Sequence, residues 1–308
     1  MKHTRIYFIL VGIMMLWGFN VPLLKIIVGT FSPVTITALR IFTASICVFI
    51  ILAYLKLLRL PTLRETALII GCGLLNVVAH HYFLSVGLSL TSSTNGGLIL
   101  GLGPILVAVL SIIFLNKRLT VIRLSGFILG LAGVSFTVVA GGGGLSAVNA
   151  GDVSIFFSIL TQAFSFVIIN KMCKTIDPRL LTGYMLLFGS LVLFGIGLLT
   201  EKNGLSTLTN GSPEVWTAFV LSAVFATAVG HMTYNFAISQ VGAAESAIFM
   251  NLNTLFALAG SVLILNETVH ASHLIGLVLI VSGVILGSGA YEDMRIRYRR
   301  KHGYNSAR

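Results

Sequence analysis

Charge is scarce in this sequence. Its 308 residues include nine Asp and Glu and 20 Lys and Arg, together 9% of the chain, where a soluble domain carries about 25%. That excludes an ordinary water-soluble protein, and 20 Phe with a mean hydropathy of +0.99 exclude a disordered one. Carboxylates are scarcer still in the apolar segments, which only Glu245 approaches, leaving little acid–base chemistry for an enzyme. Cysteine is nearly absent. Of the three, Cys47 and Cys72 fall in apolar segments and Cys173 in a basic loop, so no extracellular disulfide framework is expected. No Cys or carboxylate accompanies the histidines at ligand spacing, so neither a metal site nor a cofactor is expected. The Gly-x-x-x-x-Gly-Lys-Ser/Thr phosphate loop is also missing, which excludes ATP hydrolysis by that route.

What is present is long charge-free sequence: Thr66 to Asn116, Leu124 to Gly151, Val215 to Ala244, Ser246 to Asn266 and Thr268 to Tyr291. A bilayer core takes about 20 apolar residues per helix, and its backbone groups must be bonded internally. The fold class expected is therefore an all-α membrane protein with ten transmembrane helices. They fall near 6–28, 33–55, 66–88, 92–114, 121–140, 152–170, 180–199, 215–238, 244–264 and 271–290. The first segment has the basic start of a signal peptide, Lys2 and Arg5, but its apolar part is too long for one.

Orientation follows from the basic residues. With the N-terminus in the cytoplasm, inner loops and tail hold seventeen of the 20 Lys and Arg, outer loops hold Lys25 and Lys202, and Arg40 lies inside a helix. A multi-pass cell-membrane protein with both termini cytoplasmic is expected. The basic residues are topology determinants spread over every inner loop, so the partners expected are the lipid bilayer and a small-molecule substrate, not nucleic acid.

The second half repeats the first. A shift of 150 lays Gly87 through Thr120 over Ala237 through His270, placing Leu115-Asn116 on Leu265-Asn266 and His81 on His231. Nearer the start the shift is about 145, with Pro33 to Thr37 on Pro178 to Thr182. The unit is five helices: residues 1–144 form one copy and 145–290 the second, joined at Gly141 to Gly144 and followed by a basic cytoplasmic tail, 291–308. Because five is odd, the second copy is inverted. Inverted repeats meeting at a mid-membrane site are a device of secondary transporters.

These residues resemble the EamA family of the drug/metabolite transporter superfamily. Leu16 to Pro22 is similar to that family's Trp-Gly entry motif, and Ser32-Pro33 leading to Arg40 resembles its Pro-x-x-Leu followed by Arg. Leu115 to Thr120 and Leu265 to Val269 resemble its Leu-x-Glu-x-Leu-Thr turn, with Lys117 where Glu is usual. The resemblance implies a ten-helix carrier, often an exporter of amino acids, related metabolites or drugs.

Polar groups within the membrane are functional candidates. Arg40 can hold a carboxylate by two bonds. Trp17 and Asn20, one turn apart, offer an aromatic wall and an amide. Asn76 with His80, and His231 with Asn235, are spaced four apart, and His81 adjoins His80. His81, His231 and Glu245 are the coupling candidates, since histidine exchanges a proton near neutral pH. Helix capping is the leading reading for Glu245, and also for Glu267 beside the tenth helix, with proton coupling the alternative for both. A small-residue face on the fourth helix, Ser93, Gly97, Gly101, Pro104, Ala108 and Ser111, is expected to pack closely on another helix, with a kink at Pro104. The function expected is gradient-driven export of amino acids or related carboxylate-bearing metabolites by alternating access. Broad drug efflux is the alternative, and a membrane-embedded enzyme using the histidines a weaker one.

Overall fold

The computed structural model describes residues 4–115, 120–140, 149–172, 175–268 and 271–287. Among them every regular element is helical. The Lys117-Arg118 turn, Cys173, the Gly141 to Gly144 junction and the tail from 291 onward lie outside the described residues.

Each apolar segment marked in the sequence is a helix. In chain order they are α1 (Thr4–Thr30), α2 (Pro33–Tyr54), α3 (Leu63–Leu90), α4 (Ser93–Leu100 continuing as Gly103–Leu115), α5 (Val121–Ala140) and α6 (Ala150–Met172). There follow α7 (Pro178–Thr200), α8 (Pro213–Val241), α9 (Ala243–Ile248 continuing as Met250–Leu265) and α10 (Ala271–Gly287). Seven of these are long and apolar enough to cross a membrane, and Met250–Leu265 and Ala271–Gly283 are shorter apolar helices. The chain is a multi-pass membrane protein.

Local chemistry sets the helix ends. Thr62 and Glu65 form a reciprocal capping box at the start of α3, and Arg59 grips the same carboxylate at 2.6 and 2.8 Å. At α7 Asp177 caps the Arg179 amide at 2.9 Å, with Pro178 in the first turn. The bond from the Arg179 guanidinium also holds the Asp177 carboxyl below its ordinary range. α4 breaks at Gly101-Leu102, just before Pro104, where proline withholds a backbone donor.

Two segments depart from α-helical winding. Leu74–Ala79 in α3 and Ser222–Gly230 in α8 are π-helical and overlap under the repeat shift of 150. Each runs directly into a candidate histidine, His80 or His231. π-Turns are rare and recur at functional sites.

The packing divides the helices into groups. α1 lies along α9 and against α8, while α6 lies along α3 and against α4; α2 pairs with α7, and α5 with α10. The small-residue face of α4 meets α9 as expected. A Cβ on Gly97 would stand 2.7 Å from the Ala257 Cβ, and Ser261 donates to Ser93 at 2.8 Å.

Candidate functional site

Mid-helix residues of α1, α2, α3, α4, α6, α8 and α9 surround a central cavity of about 50 Å³. That space suits a few waters and is far too small for an organic solute. Trp17 and Asn20 line it from α1, Arg40 from α2, His80 and His81 from α3, and His231 from α8. The sequence thus brings six of its eight candidate substrate contacts to one cavity.

Arg40 lines the cavity and is 1% exposed. One terminal nitrogen donates to the Thr227 hydroxyl and, at 3.4 Å, to Ser222. The other lies 3.3 Å from His81 Nδ1, while Nε has no partner. Among the described residues no carboxylate pairs with it. A guanidinium only donates, so His81 Nδ1 accepts and the neutral ring carries its proton on Nε2. That atom is buried and also unpartnered. The site therefore combines one positive charge with two uncommitted donors, Arg40 Nε–H and His81 Nε2–H. The amide oxygens of Asn20 and Asn253, both on lining residues, have no donor.

Aromatic contacts fix the wall. Trp17 stacks obliquely on His231 at 5.0 Å and on Tyr234 at 4.9 Å, and its indole N–H donates to the Ala226 carbonyl at 2.8 Å. His231 lies 5.4 Å from His81, ring centre to ring centre, so the two repeat-related histidines do meet.

His80 lines the cavity, but its ring is committed to α6. Nδ1 lies 3.1 Å from the Ser158 carbonyl and 2.8 Å from the Ser158 hydroxyl, and Nε2 lies 2.9 Å from the Gln162 amide nitrogen. A carbonyl only accepts, so Nδ1 is protonated and Nε2 accepts from Gln162. Asn76 and Asn235 are not among the lining residues. Asn76 donates to Ser165 at 2.6 Å and Asn235 to Thr182 at 2.9 Å, both interhelical bonds. The Glu245 side chain lies outside the described residues. Glu267 caps a helix, though not α10: its carboxylate takes the amides of Ser93 and Thr94 at the start of α4, at 3.0 and 2.9 Å. A carboxylate two residues beyond α9 reaches that N-terminus because α4 and α9 cross closely.

Sequence reasoning missed Gln162, Thr227 and Asn253. One signal was available for Gln162: the shift of 145 places it on Trp17. Among the described residues no group of three His, Cys, Asp or Glu could hold a metal ion.

Comparison with known proteins agrees with this architecture. The model of the EamA-like transporter family matches residues 4–139 and again 149–289. An uncharacterized transporter of Bacillus subtilis (strain 168), YyaM, is 30% identical over 293 residues, covering 94% of this chain and 95% of its own. A chloroplastic WAT1-related protein of Arabidopsis thaliana is 24% identical, covering 90% of this chain and 68% of its own. One crystal structure superposes with a TM-score of 0.68 at 17% identity, over 93% of this chain and 97% of that one, a likeness of fold.

Proposed function

Because this chain belongs to the EamA-like transporter family, we propose that it is a gradient-driven carrier exporting amino acids or related carboxylate-bearing metabolites across the cell membrane by alternating access. The observation that carries the substrate class is Arg40, a buried guanidinium facing the cavity with a spare N–H and no carboxylate within reach among the described residues. An unpaired cation at such a depth costs at least about 2–3 kcal/mol, and a substrate carboxylate offsets that cost. A cationic drug would need the opposite charge, and among the described residues no lining residue supplies a carboxylate.

In this reading all ten helices cross the membrane as two inverted five-helix repeats, residues 1–144 and 145–290, with both termini and the basic tail in the cytoplasm. The packing supports it: exchanging the two copies turns the α1–α9 and α1–α8 contacts into α6–α4 and α6–α3, each present in the structure. So do the overlapping π-helical segments. His81 and His231, at related depths beside Arg40, are the candidates for coupling transport to protons.

Arg40→Lys tests the substrate class. It keeps the charge but loses the planar fork, so carboxylate substrates should bind about 10- to 100-fold more weakly, roughly 1.4–2.8 kcal/mol, while their neutral amides are spared. Binding isotherms of purified protein for matched acid and amide pairs make the comparison. Equal loss for both would make Arg40 a structural donor to helix hydroxyls.

A further inference from the structure

The closures at the two faces of the molecule are built from the same positions but unequal chemistry. On the face holding the end of α3 and the start of α4, Lys25 of α1 donates its ammonium to the Leu88 and Thr91 carbonyls, at 2.7 Å each. Glu267, just past α9, takes the amides of Ser93 and Thr94 and the Thr94 hydroxyl, the last at 2.5 Å. A cation thus sits on the carbonyl end of one helix and an anion on the amide end of the next, each the favourable sign for its terminus. Ser261 adds its bond to Ser93.

Among the described residues, the repeat-related contacts at the opposite face are weaker. The position related to Lys25 is Asn170, and that related to Leu88 is Ile238; they do meet, but through a neutral amide at 3.4 Å. Ser111, related to Ser261, has no partner for its buried hydroxyl, because Ala243 stands where a second Ser93 would be. Glu267 corresponds to Lys117, a cation, the wrong sign for a helix N-terminus. A second carboxylate repeats the asymmetry. Glu201 ties α7 to the start of α2 through the Val34 and Thr35 amides, at 2.9 and 2.8 Å, whereas its counterpart Lys56 is exposed.

The Lys25, Glu267 and Ser261 bonds join two bodies that each mix the repeats: α3, α4 and α6 on one side, α1, α8 and α9 on the other. The cavity lies between them. We infer that Lys25 and Glu267 form a one-sided latch that holds the outer face shut, so that the empty carrier rests with its cavity opening toward the cytoplasm and captures solute there. The inference rests on the alternating-access reading above, and gives that carrier a direction. Among the described residues, opening the outer face breaks five charge-assisted bonds to one interhelical turn; opening the inner face breaks one neutral bond.

A single cysteine at Val21, a cavity residue of α1, reports access once Cys47, Cys72 and Cys173 are replaced by Ser. Proteoliposomes of known orientation are treated with a membrane-impermeant maleimide from either face. Val21→Cys alone should label faster from the cytoplasmic face. Adding Glu267→Gln should raise outer labelling at least tenfold and lower inner labelling. Lys25→Gln releases the same turn from the other helix and should do likewise, which keeps the test available if one variant fails to insert. Outer labelling unchanged in the variants, with inner labelling still slowed by substrate, would overturn the latch and leave the carrier intact. A parallel rise at both faces would instead indicate a loosened pore, and would overturn alternating access and the latch with it.

Discussion

Two adjacent histidines divide the duties of one turn of α3. His80 spends both ring nitrogens on α6, whereas His81 keeps Nε2 uncommitted in the cavity. Removing a buried partner leaves donors or acceptors unsatisfied at about 1–3 kcal/mol each. His80→Ala should therefore lower the melting temperature of the detergent-solubilised protein by several degrees, and His81→Ala, which orphans a single Arg40 donor, should lower it less while weakening substrate affinity. The reverse pattern would exchange their roles. Arg40, His81 and His231 were legible in the sequence because a charge or imidazole in an apolar run needs an explanation. Asn76 and Asn235 looked equally eligible, yet they bond neighbouring helices. Hydropathy cannot tell a polar group turned to a cavity from one turned to another helix, since both are buried.

Among the elements, α4 and α9 carry the tightest sequence signal. The small-residue spacing of α4 announced a close crossing, and the structure supplies its partner in Ala257 and Thr254 of α9. Gly97→Val places a side chain where a Cβ alone already stands 2.7 Å from another Cβ, so it should destabilise by about 1–3 kcal/mol. Gly195 of α7 has nothing within 4 Å of its would-be Cβ; Gly195→Ala should be neutral or stabilise by about 0.5–1 kcal/mol through helix propensity. Thermal unfolding of both variants in one detergent checks the pair, and equal effects would place the crossing elsewhere. The helix positions themselves were readable from apolar length. The π-helical turns were not, because a wider turn leaves no mark on hydrophobic periodicity and depends on which neighbour takes each carbonyl.

For the whole molecule, the repeat was visible in Leu115-Asn116 over Leu265-Asn266 and in His81 over His231, but the exchange of helices between the copies was not. Nothing in the sequence says that α6 joins α3 and α4, or that Glu267 reaches Ser93 rather than α10; those are facts of packing. Positions paired by the sequence repeat make each departure informative, as Lys25 against Asn170 shows. In the proposed cycle one buried cationic site is presented alternately to the two sides of a membrane. Counterflow in proteoliposomes tests it most directly. Vesicles preloaded with excess unlabelled amino acid should transiently accumulate the labelled compound above equilibrium, for carboxylate-bearing solutes and not for their amides, and Arg40→Lys should abolish the overshoot. An overshoot for cationic dyes with none for any carboxylate would contradict the claim.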